Sequence, residues 1–157
     1  MVDMKEIDLV AKISICPYIE LSDRDKNLID KSKEAQKGAY APYSNFYVGA
    51  AVECAGDIVI GSNQENEAYP SGMCAERVAL FSASAQYPMA IISSIAIAAY
   101  NGVEDEEAFA FPCGACRQVL LEYEKRQNSP IRVLVCAKDE VYIIESAKSL
   151  LPLSFNM

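Results

Sequence analysis

The run MAIISSIAIAA, residues 89–99, constrains the fold more than any other part of the sequence. Apolar residues occupy both of its alternating faces, and isoleucine recurs along it. A strand with this pattern is typical of a sheet that helices cover on both sides. We therefore predict a central strand here, between two layers of helices.

Further strands are predicted on both sides of this run. Short segments rich in β-branched and aromatic residues, separated by turn residues, are typical of paired strands. Two such pairs are 46–54 with 58–62, joined by the turn 55–57, and 131–137 with 141–146, joined by 138–140. Residues 9–16 predict one more strand, and the acidic run 104–107 predicts a solvated loop.

Four segments predict helices, and their order along the chain defines the fold class. Ser22 has the character of an N-cap, and Pro152 stops the last helix. The predicted helices are 22–39, 74–85, 112–127 and a short one at 148–151. A mixed central sheet with helices on both faces is the natural way to bury this alternation of helices and strands. The length of 157 residues suits a single domain, 1–157, with 1–21 as an N-terminal extension.

Composition excludes several classes of partner. The net charge is −8, and the basic residues are scattered, which argues against a nucleic-acid partner and favours a small neutral or cationic ligand. Asp8 and Lys12 interrupt the apolar residues of the N-terminus, unlike a secretory signal, and the run 89–100 is too short to span a membrane. We expect a cytoplasmic protein whose six cysteines are free, metal-bound or catalytic.

Three cysteines fall at the starts of two predicted helices, in a chain that has no histidine. Cys113 and Cys116 form a C-x-x-C pair, which alone fits a thioredoxin-like redox site as well as a metal site. With Cys74, three thiolates can converge on zinc and leave one of its four positions for water. The remaining cysteines are predicted to be small buried apolar residues: Cys16, Cys54 and Cys136.

Two charged residues beside Cys74 favour a catalytic metal site. Three thiolates overcompensate the charge of Zn²⁺ and oppose deprotonation of a bound water. Arg77 lies three residues after Cys74, so it can donate hydrogen bonds to thiolates and offset part of this charge; the alternative is a surface salt bridge. Glu76 can take a proton from water and pass it to a departing group.

These residues resemble those of the zinc-dependent cytidine deaminases, small enzymes of nucleoside salvage. CAE at 74–76 and PCGAC at 112–116 match the three-cysteine form of the zinc deaminase signature. The likeness covers roughly residues 22–155. Its blocks, in the order of the family, are YAPYSNFYVGAAV (40–52), GSNQENEAYPSGMCAERVALF (61–81), PCGACRQVLLE (112–122) and LLPLSF (150–155).

The resemblance implies a three-layer α/β/α sandwich and a homotetramer with active sites at subunit interfaces. It implies hydrolytic deamination of cytidine and 2′-deoxycytidine to uridine and 2′-deoxyuridine, with release of ammonia. One zinc ion per subunit would be bound by Cys74, Cys113 and Cys116, with Glu76 as the proton shuttle. The implied substrate-binding residues are Phe46 on the pyrimidine, Asn63 and Glu65 on the sugar hydroxyl, Ala75, and Phe155 closing the pocket of a neighbouring subunit.

Other interpretations remain open at this point. The blasticidin S deaminases share the Cys-Ala-Glu and Pro-Cys elements, although the NQEN block at 63–66 favours a nucleoside sugar. A non-catalytic zinc or thiol-redox module is a different class of protein. Glu76 discriminates against a structural zinc site, and Cys74 against a redox pair. The isoleucine and valine content ahead of the matched blocks predicts an added edge strand or arm.

Overall fold

Seven strands form one mixed sheet in the chain, whose computed structural model describes residues 4–155. Three helices of 12–14 residues and several short 3₁₀ turns connect them. The strands are β1 (Ser14–Pro17), β2 (Phe46–Cys54), β3 (Asp57–Ser62), β4 (Ile92–Asn101), β5 (Glu106–Ala108), β6 (Arg132–Ala137) and β7 (Glu140–Ile144). The helices are α1 (Asp23–Ala35), α2 (Ala75–Gln86) and α3 (Gly114–Gln127).

The longest strand, β4, lies inside the sheet, as the apolar run predicts. The order is β1-β7-β6-β4-β2-β3, and β5 pairs with the end of β4. β4 runs parallel to β6, and the other strand pairs are antiparallel. Each residue from 95 to 99 is at most 3% exposed. Both faces of β4 are therefore covered.

Two hydrophobic cores separate three layers. Helices α2 and α3 pack on one face of the sheet around Ile95, Ile97 and Leu120. Helix α1 packs on the other face, where Ile29 and Leu134 are fully buried. The predicted α/β/α sandwich with a mixed central sheet is confirmed.

Two glycines let helices approach the β2–β3 hairpin directly. A Cβ atom on Gly61 would lie 2.4 Å from the backbone nitrogen of Ala79 and 2.9 Å from the carbonyl oxygen of Ala75, both in α2. A Cβ on Gly49 would lie 2.0 Å from the carbonyl oxygen of Ser32 in α1. These contacts leave no room for a side chain, so the first turns of α2 pack directly on the backbone of the hairpin.

Most predicted elements are present, with shifted ends. Ser22 is the N-cap of α1, where its hydroxyl accepts a hydrogen bond from the amide of Asp25 at 3.1 Å. The predicted extent of this helix is too long, because α1 ends at Ala35 and a 3₁₀ turn follows. The last predicted helix is a 3₁₀ turn, Ala147–Leu150, and the N-terminal strand covers only Ser14–Pro17, at the edge of the sheet.

Two predictions from the sequence are wrong in detail. The acidic run is exposed, as predicted, and its first two residues, 104–105, lie in a turn; Glu106 and Glu107, however, lie in β5, where they pair with β4 and form ion pairs with Lys138 (2.9 Å) and Lys33 (2.7 Å). Cys16 is only half-buried, because it lies in the edge strand β1. Within residues 4–155, none of the helices has the length and apolar character needed to cross a bilayer.

Candidate metal centre and active site

Three thiols meet where α2 and α3 begin. Cys74 is the N-cap of α2 and Cys113 is the N-cap of α3, with Cys116 in the first turn of α3. The Sγ atom of Cys113 lies 3.8 Å from that of Cys74 and 3.5 Å from that of Cys116, and all three atoms lie within 4.8 Å of one another. Tetrahedral zinc with Zn–S bonds of about 2.3 Å separates its sulfurs by about 3.8 Å. The three thiols therefore fit zinc.

The backbone around these thiols favours their anionic form. Cys74 and Cys113 have extended dihedral angles, so each ends a loop and leaves the first N–H groups of a helix free of helical partners. The positive end of a helix stabilises a thiolate. Hydrogen bonds from the Cys116 thiol and then from Arg77 and Cys113 hold the pKa of Cys74 well below its usual range.

Arg77 points its guanidinium at the thiol cluster. Its Nη2 atom donates a hydrogen bond to the sulfur of Cys74 at 3.5 Å. Its Nε atom is buried and has no hydrogen-bond partner among the residues that the structure describes. Arg77 is therefore partly buried against the thiols and donates to one of them, and in the part of the chain that the structure describes it does not form the surface salt bridge considered as the alternative.

Glu76 is a buried carboxyl group at the same helix start. It lies in the first turn of α2 and is 5% exposed. Burial raises the pKa of Glu76, and the negative charge of Cys74 adds to the rise. A carboxyl group with a raised pKa can both accept and return a proton nearer neutral pH than an exposed one. The charge of Cys74 and a hydrogen bond with Cys116 both act on this carboxyl group, so Glu76 lies close to the thiol cluster.

A cavity of about 310 Å³ opens beside Cys74 and Arg77. Asn63 and Glu65, which follow β3, line it, so the structure brings two predicted sugar-binding residues next to the thiol cluster. A larger cavity of about 510 Å³ lies between residues 9–13 and the turn 146–150. It is lined by no thiol or carboxylate, so the smaller cavity has the chemistry of the site.

Hydrogen bonds to backbone groups hold the side chains of Asn63 and Glu65. Asn63 accepts from the amide of Val48 at 2.8 Å and donates to the carbonyl of Phe46 at 2.9 Å. Glu65 accepts from the amides of Tyr43 (2.9 Å) and Ser44 (3.3 Å) and from the Ser44 hydroxyl. The Ser44 hydroxyl, followed by these amides, lowers the pKa of Glu65. Glu65 is therefore an ionised acceptor.

The remaining predicted substrate residues are placed differently. Phe46 is half-buried at the start of β2, tied to Asn63 through its carbonyl group. Ala75 is fully buried as the first residue of α2. Phe155 is 71% exposed and does not line the cavity. Ser44 was not among the predicted site residues, although a serine two residues before a strand is typical of a side chain that bonds nearby backbone.

Comparison with known sequences agrees with this geometry. The family model described as cytidine and deoxycytidylate deaminase zinc-binding region matches residues 22–129. A cytidine deaminase of Sporosarcina psychrophila is 46% identical over 99 residues, which are 62% of this chain and 68% of the relative. A probable cytidine deaminase of Dictyostelium discoideum is 34% identical over 134 residues, covering 82% of this chain and 81% of the relative.

Solved structures of similar fold are cytidine deaminases. The enzyme from Burkholderia pseudomallei superposes with a TM-score of 0.70 at 36% identity, covering 86% of this chain and 100% of that one. The enzyme from Mycobacterium tuberculosis gives a TM-score of 0.63 at 31% identity, covering 87% and 99%. The matched region contains all three thiols, Glu76 and the residues of the adjoining cavity. The chain therefore belongs to the cytidine and deoxycytidylate deaminase zinc-binding family.

Proposed function

We propose that this protein catalyses the zinc-dependent hydrolytic deamination of cytidine and 2′-deoxycytidine to uridine and 2′-deoxyuridine, with release of ammonia. One observation carries the proposal: the carboxyl group of Glu76 is buried at the same helix start as a cluster of three thiols. A structural zinc site has no use for such a group, and a redox pair has no use for a third thiol.

The metal site would be formed by Cys74, Cys113 and Cys116. Zinc bound there supplies the Lewis acidity that makes water a nucleophile near neutral pH, because three protein ligands leave a position open. The Arg77 guanidinium donates to Cys74 and offsets part of the thiolate charge, which would otherwise oppose loss of a proton from that water.

Glu76 would move the protons of the reaction. Its carboxylate takes a proton from the water that attacks C4 of the cytosine. The protonated carboxyl group gives this proton to N3. Once the C4–O bond has formed, the carboxylate takes the second proton from the hydroxyl group on C4 and gives it to the exocyclic amine, so that C4=O forms, the C4–N bond breaks and ammonia departs. Burial supports this role, because the raised pKa of Glu76 brings the two forms of the group closer in energy.

Substrate recognition would divide between a ring side and a sugar side. Phe46 packs on the pyrimidine, and Ala75 contacts the ring from the start of α2. Asn63 and Glu65 hydrogen-bond the sugar hydroxyl. Support for this division comes from the cavity that Asn63 and Glu65 share with Cys74, and from the hydrogen bond that ties Asn63 to Phe46.

The active protein would be a homotetramer of single-domain subunits, with residues 1–21 as an extension and with active sites at subunit interfaces. Tyr43 and Tyr69 support this assembly, because they are 57% and 90% exposed at the rim of the cavity. Phe155 would close the pocket of a neighbour. A solution mass of about 69 kDa, four times the 17.2-kDa chain, is expected, and a 17-kDa species would contradict it. A cytoplasmic location stays a prediction.

The first test is ammonia release from cytidine by zinc-loaded protein, with the Glu76→Gln variant alongside. We expect kcat to fall by about 10²- to 10⁴-fold in the variant, because general acid–base catalysis contributes a factor of that size. Zinc content should stay at one per chain in both proteins. Glu122→Gln, an exposed carboxyl on α3, is the matched control and should keep native turnover.

Two outcomes would contradict the proposal in different ways. Near-native turnover in the Glu76→Gln variant would remove Glu76 as the proton shuttle. If zinc-loaded native protein released no ammonia from cytidine or 2′-deoxycytidine, the substrate assignment would be wrong. The metal site would then have to serve another cytosine-containing small molecule.

A further inference from the structure

Ser44, in the loop that precedes β2, forms hydrogen bonds with both Glu65 and Phe46. Resting on the proposed function, we propose that Ser44 is a positioning residue: it orients the Glu65 carboxylate toward one sugar hydroxyl and links that carboxylate to Phe46. The hydrogen bonds of three side chains carry this inference.

The acceptor capacity of Glu65 is nearly filled by the loop. An ionised carboxylate offers about four lone-pair directions, two on each oxygen. Oε2 accepts from the amides of Tyr43 and Ser44, at 2.9 and 3.3 Å. Oε1 accepts from the Ser44 hydroxyl. One direction, on Oε1, is left for a single further donor, and a sugar hydroxyl is such a donor.

The Ser44 hydroxyl has a second partner that fixes its direction. Its Oγ atom accepts a hydrogen bond from the amide of Phe46 at 3.1 Å. Because the lone pair is occupied on that side, the hydroxyl proton is directed to Oε1 of Glu65. Ser44 thus connects the carboxylate that would contact the sugar with the residue that would pack on the ring.

Asn63 holds the same segment from the other side. It accepts from the amide of Val48 and donates to the carbonyl of Phe46, so both backbone groups of Phe46 are bonded to side chains. Asn45, between Ser44 and Phe46, has a φ of 52°, a left-handed conformation that asparagine tolerates. The loop is therefore held in one shape before substrate arrives, which reduces the ordering cost of binding.

The test compares two ligands that differ in the sugar. Zinc-loaded native protein, Ser44→Ala and Ser44→Thr are assayed for KM and kcat with cytidine, and for the inhibition constant of 2′,3′-dideoxycytidine. We expect Ser44→Ala to raise KM for cytidine about tenfold with kcat within about threefold, as for a hydrogen bond to a charged group. The inhibition constant of the dideoxynucleoside should rise only about twofold, because it lacks the 2′- and 3′-hydroxyl donors, to one of which the proposal assigns the Glu65 carboxylate.

Two further variants separate positioning from general damage. Ser44→Thr keeps a hydroxyl group and should return KM to within about threefold of native. Ser82→Ala removes a serine hydroxyl that accepts from Gln86 on α2, and it should change neither constant. Equal rises for both ligands in Ser44→Ala, or no rise in KM, would overturn the role of Ser44 alone. Native protein that does not deaminate cytidine would overturn the proposed function and this role with it.

Discussion

The two ends of the candidate site are built in different ways. At the metal end, two helix starts packed on the core hold the side chains, and burial increases inward: Cys113 is exposed, Cys74 is half-buried, and Cys116 and Glu76 are buried. At the proposed sugar-binding end, called the sugar end below, Asn63 and Glu65 are only partly buried, and hydrogen bonds to loop backbone hold them. The proposed proton transfer by Glu76 requires burial, because burial shifts its pKa. Sugar recognition would instead require polar groups that are fixed in direction and open to the substrate.

The largest effect that separates the two ends should come from removing a metal ligand. In Cys116→Ser we expect zinc per chain to fall well below one and turnover to fall by more than about a hundredfold. Removing a residue that only orients a metal ligand typically lowers metal affinity or activity 10- to 100-fold, and removing a ligand itself should lower them more. Metal analysis and ammonia release on the same sample measure both effects.

Cys136→Ser is the matched control for that change. Cys136 is also buried, at 4% exposure, but it lies in β6 on the face of the sheet that packs against α1. This variant should lose some stability, because a buried hydroxyl replaces a thiol, and should keep zinc and turnover. If Cys116→Ser kept a full zinc complement, Cys116 would not be a ligand.

A smaller loss, of stability and zinc affinity, is expected when a larger side chain at position 61 forces α2 away from the hairpin. In Gly61→Ala the new methyl group would lie 2.4 Å from the backbone nitrogen of Ala79, so α2 must shift. We expect the free energy of unfolding to fall by about 1–3 kcal/mol. For a chain of this length the melting temperature should fall by about 3–10 °C. Zinc affinity should fall with it, because Cys74 caps the displaced helix.

Gly114→Ala tests whether steric crowding is the cause of that loss. A Cβ on Gly114 has no heavy atom within 4 Å, and alanine is the better helix former, so this variant should melt at or above the native temperature. A Gly61→Ala protein with native melting temperature and native zinc affinity would show that the metal end does not depend on the contact between the hairpin and α2.

Much of the fold was predictable because its signals are local. The apolar run of β4, the turn between β2 and β3, and the Ser22 cap each lie within a few neighbouring residues, and all three are confirmed. β5 was not predictable, because Glu106 and Glu107 have no strand pattern and form a strand only where the chain turns back after Asn101 and pairs with the end of β4. The close approach at Gly61 was not predictable because it is a tertiary contact between β3 and α2.

The site divides in the same way. The three cysteines were identifiable from sequence as a candidate zinc site because thiolates are preferred zinc ligands, and Glu76 was identifiable as a candidate proton shuttle because it is the carboxylate next to them. Ser44 was not identified, since its bond to Glu65 spans 21 residues and depends on how the loop lies against the end of β3. Sequence also gave no sign that the side-chain amide of Asn63 bonds the backbone of β2 on both sides.

The smallest predicted effect concerns the ionisation of the sugar end. Hydrogen bonds from Ser44 and the neighbouring amides lower the pKa of Glu65 from its ordinary 4.5, so the carboxylate stays charged as the pH falls to that value. KM for cytidine should therefore be flat from about pH 8 to pH 5 and rise only as the pH falls through the lowered pKa. Glu65→Gln should show a KM raised about tenfold at all of these pH values, with kcat, zinc content and melting temperature little changed. A native KM that already climbs between pH 7 and pH 5 while zinc stays bound would mean that Glu65 is not held as an ionised acceptor. The two carboxyl groups, Glu76 with a raised pKa and Glu65 with a lowered pKa, would then not differ as their surroundings indicate.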